Sequence, residues 1–331
     1  MAPNMIPPAT APAFLAAHGW AGAQILPLAG DASFRRYFRI IDGERRAVLM
    51  DAPPEKEDSR PFLAIGKHLD MLGFSAPQPL AIDLEAGLVL LEDFGDARVN
   101  PLLAQSPARE ADIYAAAIDV LVALHRHAPP AIAAYDAREL RREVRLFPEW
   151  YLPAAGLAEA PGYDAAWDAV LAPVIAETAA QPVLILRDYH ADNLMLLDRP
   201  GLRGLGLLDY QDALAGHRAY DLVSLLQDAR RDVAPELESA MLARYADASG
   251  ISDTTAFRAA YEILGAQRNT KILGVFTRLW KRDNKPAYPR LNPRVWGYLG
   301  RNLAHPALAP VADWFATNVP PLARQPFDVD A

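Results

Sequence analysis

The sequence contains no cysteine. This absence excludes disulfide bonds, thiolate zinc sites, iron–sulfur clusters and a thiol nucleophile, and it suits a reducing compartment. Charged residues are also missing from the amino-terminal stretch, where no Asp, Glu, Lys or Arg precedes Asp31. That stretch has no basic leader, and prolines at positions 3, 7, 8, 12 and 27 interrupt it, so we expect neither a signal peptide nor a membrane span. The sequence therefore predicts a cytoplasmic protein.

What is present is sufficient for packed cores, because 52% of the 331 residues are hydrophobic and 22% are charged. This length predicts one or two domains, and the composition excludes disorder as the main state. The formal net charge of −8 argues against a nucleic-acid partner. We expect small-molecule ligands, with no nucleic acid, no membrane and no obligate protein partner.

The chain changes character near residue 95. Before it, short apolar runs alternate with turn residues, which predicts strands over residues 24–28, 34–41, 46–50 and 87–94 and a helix over 61–72 with Ser59 as its cap. After it, helical spacing dominates, beginning with residues 108–127, where His125 closes the helix as a cation. Strand-like runs at 182–186, 193–197 and 205–208 interrupt the helices. The predicted fold class is α+β, with a strand-rich lobe over 1–94 and a mainly helical lobe over 95–331.

Two strings concentrate the chemistry, LILRDYHADNLMLLD at 184–198 and LGLLDYQD at 205–212. In each, an apolar run ends in an aspartate, so a buried strand delivers Asp188 or Asp209 to the rim of a cleft. Asn193 follows Asp188 by five residues and begins another apolar run. One acid can then face a substrate hydroxyl while Asn193 and Asp209 supply hard oxygen ligands, which suit Mg²⁺.

The order of these parts resembles the aminoglycoside phosphotransferase family, whose fold is protein-kinase-like and two-lobed. The resemblance implies that Asp188 is the catalytic residue and that Asn193 and Asp209 bind the metal ion beside ATP. It also implies a structural role for Asp221 in AYDLVSLL and a helix end at LVALHRH. The residues that would bind the nucleotide are Gly30, Asp31, Ala32 and Ser33 at the phosphates and Glu92, Asp93 and Phe94 at the adenine.

The sequence departs from this family at two places. Leu186 stands where the family usually has a histidine, and Met50 stands where a kinase carries the lysine that grips the α- and β-phosphates. Helix 61–72 also lacks the glutamate that would pair with this lysine. The side chains that could replace the lysine are Arg35, Arg36, Arg39 and Lys67.

The residues that bind the phosphoryl acceptor are expected in the helical lobe. Residues 264–301 carry nine basic side chains and one acid, a local charge of +8 that leaves −16 on the remainder of the chain. Such a segment disfavours polycationic aminoglycosides and suits a carboxylate, and its interleaved aromatics suit a sugar ring. An ordinary basic surface over aromatic core contacts is the alternative. The candidate substrate-binding residues are Arg187, His190, Asp192, Arg268, Lys271 and Arg278.

Within the family, GDASFRRYFR, LMDAPPE, LRDYHADNLM and RNTKILGVFTRL are similar to the amino-sugar kinases of peptidoglycan recycling. This likeness implies ATP-dependent phosphorylation of the anomeric hydroxyl of N-acetylmuramate and N-acetylglucosamine, which gives the α-1-phosphates. Kinases of the aminoglycoside, choline or homoserine type are the alternative within the family.

Two alternatives lie outside kinase chemistry. The loss of the lysine at Met50 allows a pseudokinase that binds a nucleotide without catalysis, although Asp188 would then have no purpose. Asp188, His190 and Asp192 alternate, so on a strand they would share one face and could form the metal site of a hydrolase, with His217 as a further imidazole.

Overall fold

The computed structural model describes residues 6–30 and 34–329. Its residues group by internal contacts into two compact units, the first comprising Met1–Gln105 and Asp192–Asp212 and the second Ser106–Ala191 and Ala213–Ala331. Residues 192–212 thus belong with the strand-rich part of the chain in this grouping. The lobe boundary between residues 94 and 95 stays a prediction.

The strands and helices have the following bounds. The strands are β1 (Gln24–Gly30), β2 (Arg36–Asp42), β3 (Arg45–Asp51), β4 (Pro79–Asp83), β5 (Leu88–Glu92), β6 (Val183–Ile185), β7 (Leu194–Leu196), β8 (Leu205–Leu207) and β9 (Leu214–Gly216). The helices are α1 (Ala11–Ala17), α2 (Arg60–Met71), α3 (Val99–Gln105), α4 (Glu110–Leu124), α5 (Ala137–Val144), α6 (Leu152–Ala154), α7 (Tyr163–Ala180), α8 (Ala219–Leu226), α9 (Pro235–Ala248), α10 (Thr254–Lys281), α11 (Asn292–Leu303) and α12 (Ala309–Asn318). A π-helical turn at Phe147–Tyr151 leads into α6.

The first unit is built on an antiparallel sheet with the strand order β1-β2-β3-β5-β4. Alternate residues on neighbouring strands point to one face because side chains alternate along a strand. Phe38 pairs with Leu49, and Leu49 pairs with Leu90, and all three are fully buried. Phe14 and Leu15 of α1 belong to the same apolar cluster, so the amino-terminal helix covers this face.

A second antiparallel pair of strands in the first unit, β7 with β8, brings together the polar residues that flank the two strands. Asn193 immediately precedes β7, and its carbonyl oxygen accepts a hydrogen bond of 3.0 Å from the backbone N–H of Leu208, directly after β8. The register pairs Leu194 with Leu207. The residues flanking this pair, Asn193 and Asp209, are therefore neighbours by the construction of the hairpin.

The second unit is organised around α10, a helix of 28 residues. It packs against α5, α8 and α11, and buried residues occur on every side of it, which is the pattern of a central helix. Several of these buried residues are polar, among them Gln267, Arg268 and Asn269. Because buried polar groups need partners, this helix carries hydrogen-bonding side chains into the interior of the unit.

The elements predicted from apolar runs are confirmed, with shifts of one to three residues at their ends. The expected strand 24–28 is β1, the expected helix 61–72 is α2, and the expected helix 108–127 is α4. The cap assigned to Ser59 is wrong, because Ser59 precedes α2 with helical backbone angles and makes no capping hydrogen bond through its side chain. Several short elements, among them α1, β4 and β9, were not predicted from the sequence pattern.

Across residues 6–30 and 34–329, no helix combines the length with the apolar character that a bilayer span requires.

Gly274 in α10 lies against the backbone of another segment of the second unit. A Cβ added there would lie 2.4 Å from the carbonyl carbon and oxygen of Leu146. We therefore expect Gly274→Ala to lower the free energy of unfolding by about 1–3 kcal/mol, although alanine has the better helix propensity. Urea unfolding followed by circular dichroism measures this change.

Gly300 in α11 is the matched control. It is exposed, and a Cβ added there would have no atom of the described residues within 4 Å. Gly300→Ala is therefore expected to raise the free energy of unfolding by about 0.5–1 kcal/mol through helix propensity alone. A gain in stability from both substitutions would contradict the close approach at Gly274.

Candidate active site

In the second unit, the loop after β6 presents Asp188 on a tight turn. The backbone N–H of Asp188 donates to the carbonyl oxygen of Leu186 at 2.9 Å, and Arg187 between them has a φ of 69°. A hydrogen bond spanning three residues around a positive φ is a classic γ-turn, which is rare and costs about 1–3 kcal/mol outside glycine. Such a turn persists only where its surroundings hold it.

Asp221 supplies that support from the first turn of α8. Its carboxylate accepts hydrogen bonds from the backbone N–H groups of Leu186 at 2.6 Å and Arg187 at 2.9 Å. Asp221 is fully buried, and burial raises its pKa to about 7 against the opposing effect of these two donors. The sequence-based interpretation of Asp221 as a loop-bracing acid is confirmed.

Cationic groups dominate the electrostatics of Asp188. Burial on its own would raise the pKa of this carboxyl group, but Lys271 and Arg268 hold the pKa below its ordinary value, and His190 adds to their effect only in its protonated form. Arg187 acts in the same direction. Asp188 is therefore ionised at neutral pH and is suited to accept a hydrogen bond from a substrate hydroxyl.

His190 lies beside the same carboxylate as a buried, neutral imidazole. Its Nε2 is 3.2 Å from Nη1 of Arg230. Because a guanidinium only donates, Nε2 is the acceptor and the ring proton is on Nδ1. Burial, reinforced by the charge of Arg230, lowers the pKa of His190 to about 3.

Arg268 and Lys271 reach this region from adjacent positions on one face of α10. Arg268 is 4% exposed and donates from Nη2 to the hydroxyl of Ser224 at 2.9 Å. Lys271 donates from Nζ to Glu143 at 2.7 Å and lies 3.4 Å from the hydroxyl of Tyr220. Arg187 also pairs with Glu143 through its guanidinium.

Arg278 is not brought to Asp188. It lies seven residues after Lys271, about 10 Å further along the helix. The charged groups that act on it are Arg282, Asp283, Arg142 and Glu149, and its pKa is lowered by burial first and by Arg282 next. The basic side chains of residues 264–301 therefore do not all lie at one site. Arg268 and Lys271 lie beside Asp188, whereas Arg278 does not.

The aromatic residues of that segment build the core of the second unit. Trp296 packs against Phe147 at 5.9 Å, Tyr151 at 5.6 Å and Phe315 at 6.0 Å between ring centroids, and its indole N–H donates to the hydroxyl of Tyr151 at 2.8 Å. Phe276 likewise packs against Tyr288 at 5.3 Å. These contacts favour the interpretation that the aromatic side chains belong to the core over the interpretation that they stack on a sugar ring.

In the first unit, Asn193 and Asp209 form a pair of hard oxygen donors. The amide Nδ2 of Asn193 lies 3.2 Å from Oδ2 of Asp209, and Gln211 donates to Oδ1 of Asp209 at 2.7 Å. Asp209 has a φ of 59°, a left-handed backbone conformation that is uncommon outside glycine. An amide oxygen and a carboxylate fit Mg²⁺, which takes its remaining ligands from phosphate and water.

Asp192 lies in the first unit and accepts a hydrogen bond of 2.9 Å from the amide of Asn100. The hydrolase alternative required Asp188, His190 and Asp192 to alternate on a strand. Residues 187–190 instead form turns, and Ala191–Asn193 is a short 3₁₀ helix. The strand that this alternative requires is therefore not formed, and residues 6–30 and 34–329 contain no group of three or more His, Cys, Asp or Glu side chains that could hold a metal ion.

Of the residues predicted to bind the nucleotide, Gly30, Glu92, Asp93 and Phe94 lie in the first unit. Gly30 ends β1, whereas Asp31, Ala32 and Ser33 lie outside the described residues. Glu92 pairs with Arg199, whose guanidinium lies 5.2 Å from the ring centroid of Phe94. Asp93 pairs with Arg39 at 2.7 Å and accepts from the backbone N–H of Gly95 at 2.8 Å.

Met50 has an apolar side chain and is fully buried, so it offers no positive charge to a phosphate. Of the possible replacements for the missing lysine, Arg35 pairs with Glu57 at 3.3 Å, Arg36 donates to Asp51 at 2.8 Å, and Arg39 is held by Asp93. Lys67 is exposed on α2. The residue that takes over the role of the lysine stays an open prediction.

Sequence reasoning missed Glu143, Arg230 and Ser224, which contact the candidate residues. No motif or spacing marks them, since each lies in a different helix or loop from Asp188. His125 also differs from expectation, because burial and the charge of Arg218 lower its pKa to about 3, and it therefore closes α4 as a neutral ring beside Tyr245 rather than as a cation.

The lowered pKa of His190 has a measurable consequence. We expect its imidazole to stay neutral from about pH 5 to pH 8, which NMR of histidine-labelled protein reports, with His190→Asn for assignment. Since the folded pKa is about 3 and the ordinary value is 6.5, the unfolded chain binds the proton first on acidification. Stability is therefore lost as the pH falls from 6.5 toward 3, by up to about 1.4 kcal/mol per pH unit. A midpoint between pH 6 and pH 7 would contradict the buried, arginine-bound ring.

Comparison with known proteins agrees with this geometry. The chain is 39% identical to the N-acetylmuramate/N-acetylglucosamine kinase of Caulobacter vibrioides over 95% of its own length and 97% of that protein. It is 37% identical to the Pseudomonas aeruginosa protein of the same name over 92% of its length and 93% of that protein.

The structure of choline kinase LicA from Streptococcus pneumoniae superposes with a TM-score of 0.58 at 13% identity, covering 86% of this chain and 93% of that one. This likeness shows the protein-kinase-like fold. A sequence model of the phosphotransferase enzyme family matches residues 24–263. The chain belongs to the phosphotransferase enzyme family.

Proposed function

We propose that the protein is an ATP-dependent sugar kinase that phosphorylates the anomeric hydroxyl of N-acetylmuramate and N-acetylglucosamine in peptidoglycan recycling. The products are the sugar α-1-phosphates. The observation that carries this proposal is the ionised Asp188, held on a braced turn and flanked by Lys271 and Arg268. The names and the 37–39% identity of the relatives support the choice of sugars.

Asp188 accepts a hydrogen bond from the sugar hydroxyl and takes its proton as the new O–P bond forms. Its carboxylate is already ionised when the substrate binds. It can therefore accept a hydrogen bond from the hydroxyl without first losing a proton. Because the transition state of phosphoryl transfer is loose, the proton moves late, and a carboxylate with a low pKa is adequate for this task.

ATP is the phosphate donor, and its phosphates bind at Gly30, Asp31, Ala32 and Ser33. The backbone of Glu92, Asp93 and Phe94 contacts the adenine. Asn193 and Asp209 would hold Mg²⁺, which would supply positive charge beside the phosphates. Because ATP is the donor, we also keep the cytoplasm as the expected location.

Arg268 and Lys271 give the acceptor site its preference for a carboxylate. Arg268 is 4% exposed, and its Nη1 has no hydrogen-bond partner among the described residues, so a buried donor is available to an incoming acceptor atom. The lactyl carboxylate of N-acetylmuramate supplies such an atom. Polycationic aminoglycosides, in contrast, would be repelled by these two cations.

Phosphorus NMR of the reaction mixture tests the proposed function. With ATP, Mg²⁺ and either amino sugar, we expect a resonance coupled to the anomeric proton to grow as ATP is consumed. A phosphate ester at another hydroxyl would correct the position of transfer. No product with either sugar, together with turnover of choline or an aminoglycoside, would overturn the proposal.

Asp188→Asn tests the assignment of the base. It preserves the shape of the side chain but cannot take a proton, so we expect kcat to fall about 1000-fold or more while ATP affinity is unchanged. Asp119→Asn is the matched control, since Asp119 forms a surface ion pair with Arg244 at 2.7 Å. If Asp188→Asn retains the turnover of the control, Asp188 is not the base.

Arg268→Gln tests the recognition of the lactyl group. A lost charge-assisted hydrogen bond of about 1.5–3 kcal/mol raises KM for N-acetylmuramate about 10- to 100-fold, with KM for N-acetylglucosamine changed much less. The control is Arg294→Gln, which removes a cation of the same basic segment that pairs with Asp232. Equal losses for the two sugars would show that Arg268 does not contact the carboxylate.

A further inference from the structure

Glu143 of α5 is a fully buried carboxylate that the proposed function does not use. Lys271 donates to it at 2.7 Å and Gln267 at 3.1 Å, and Arg187 and the hydroxyl of Tyr135 also donate to it. A buried charge is tolerated only where it is paired and hydrogen-bonded, and this one satisfies that condition completely. Burial opposes its ionisation, yet Lys271 and Arg187 lower the pKa of Glu143 to about 2.

Both cations that Glu143 holds act on Asp188. Arg187 is the residue at the centre of the γ-turn that presents Asp188, and Lys271 is the strongest of the charges that lower the pKa of Asp188. Glu143 itself is not among the groups that act strongly on Asp188. The contacts of Glu143 with Lys271 and Arg187 therefore link it to the catalytic carboxylate.

Lys271 depends on Glu143 for its charge. Burial lowers the pKa of Lys271, whereas Glu143 first and Tyr220 next reverse this and hold it above its ordinary value. The other charged groups that face Lys271 are Arg187, which opposes the protonated form, and Asp188, which favours it. Removal of the Glu143 charge leaves burial and Arg187 opposed by Tyr220 and Asp188.

We propose that Glu143 is a positioning residue, which keeps Lys271 protonated and Arg187 fixed so that the two cations flank Asp188 during phosphoryl transfer. This inference rests on the proposed role of Asp188 in the kinase reaction. Lys271 then stabilises the ionised form of Asp188 from the side of α10, while Arg187 fixes the turn that carries it. The carboxylate of Glu143 is the common anchor of both contacts.

The charge of Lys271 can be measured without turnover. In Glu143→Gln, we expect the midpoint of pH-dependent acetylation of Lys271 by acetic anhydride, read by mass spectrometry, to fall by about one pH unit or more. Between pH 7 and pH 10.5 the wild-type rate should still be rising while the variant reaches its plateau. Greater exposure of the side chain would change the plateau and leave the midpoint in place.

The pH profile of kcat/KM supplies the catalytic readout. With N-acetylmuramate as substrate, Glu143→Gln should lose activity on the alkaline side at a lower pH than wild type, because Lys271 deprotonates there and no longer offers a cation to the lactyl carboxylate. Arginine does not deprotonate in this range, so the double variant Glu143→Gln with Lys271→Arg should recover the alkaline activity relative to Glu143→Gln. KM for ATP should not change.

Glu238 provides a matched control for the loss of a buried carboxylate. It is 3% exposed and accepts hydrogen bonds from Tyr261 at 2.7 Å, Gln227 at 3.1 Å and Arg301 at 2.7 Å, a tyrosine, a glutamine and an arginine as at Glu143. Glu238→Gln should lower the thermal stability as Glu143→Gln does, with no shift in the alkaline limb or in the labelling midpoint.

The outcomes separate this inference from the proposed function. If the midpoint for Lys271 and the alkaline limb are the same in Glu143→Gln as in wild type, Glu143 is only a structural residue and the inference is overturned. If wild type phosphorylates neither sugar, the proposed function fails. The labelling experiment then still decides whether Glu143 keeps Lys271 protonated.

Discussion

The two hydrogen bonds from consecutive backbone amides to Asp221 are the constraint on which the site of the second unit depends. A γ-turn at Arg187 is unfavourable on its own, and it exists because a buried carboxylate on α8 accepts from Leu186 and Arg187. Through that turn, the packing of α8 in the interior determines where Asp188 stands. The position of the proposed base is thus fixed by a side chain of another helix.

A second constraint is the balance of charge around the turn. The sequence shows nine cations in residues 264–301. In the structure, several of these pair with acids, as Arg282 does with Asp283, Arg294 with Asp232 and Arg301 with Glu238. Arg268 and Lys271 differ, because they share their surroundings with Asp188. A charge count along the chain therefore overstates the basic surface that a substrate meets.

The apolar runs with two-residue and helical periods were sufficient to predict β1, β3, β5, α2 and α4, because each buries a face whose spacing is visible locally. The motif spacing was likewise sufficient to single out Asp188, Asn193 and Asp209 as candidates. Glu143 could not be predicted, since its importance arises from contacts to residues 44 and 128 positions away along the chain. The predictions of a cap at Ser59 and of a charge on His125 were wrong for a related reason. Both features depend on local geometry and burial, which the residue types alone do not show.

The path of the chain between the two units has a consequence for dissecting the protein. Residues 192–212 belong to the first unit, although the segments before and after them belong to the second. The hairpin of β7 and β8 is tied there by the hydroxyl of Ser75 donating to the carbonyl oxygen of Arg203 at 2.9 Å and by the pairing of Arg199 with Glu92. A fragment ending at residue 105 would lack both the hairpin and these contacts. Gene splitting, fragment complementation and domain grafting therefore have no contiguous segment that carries the first unit complete.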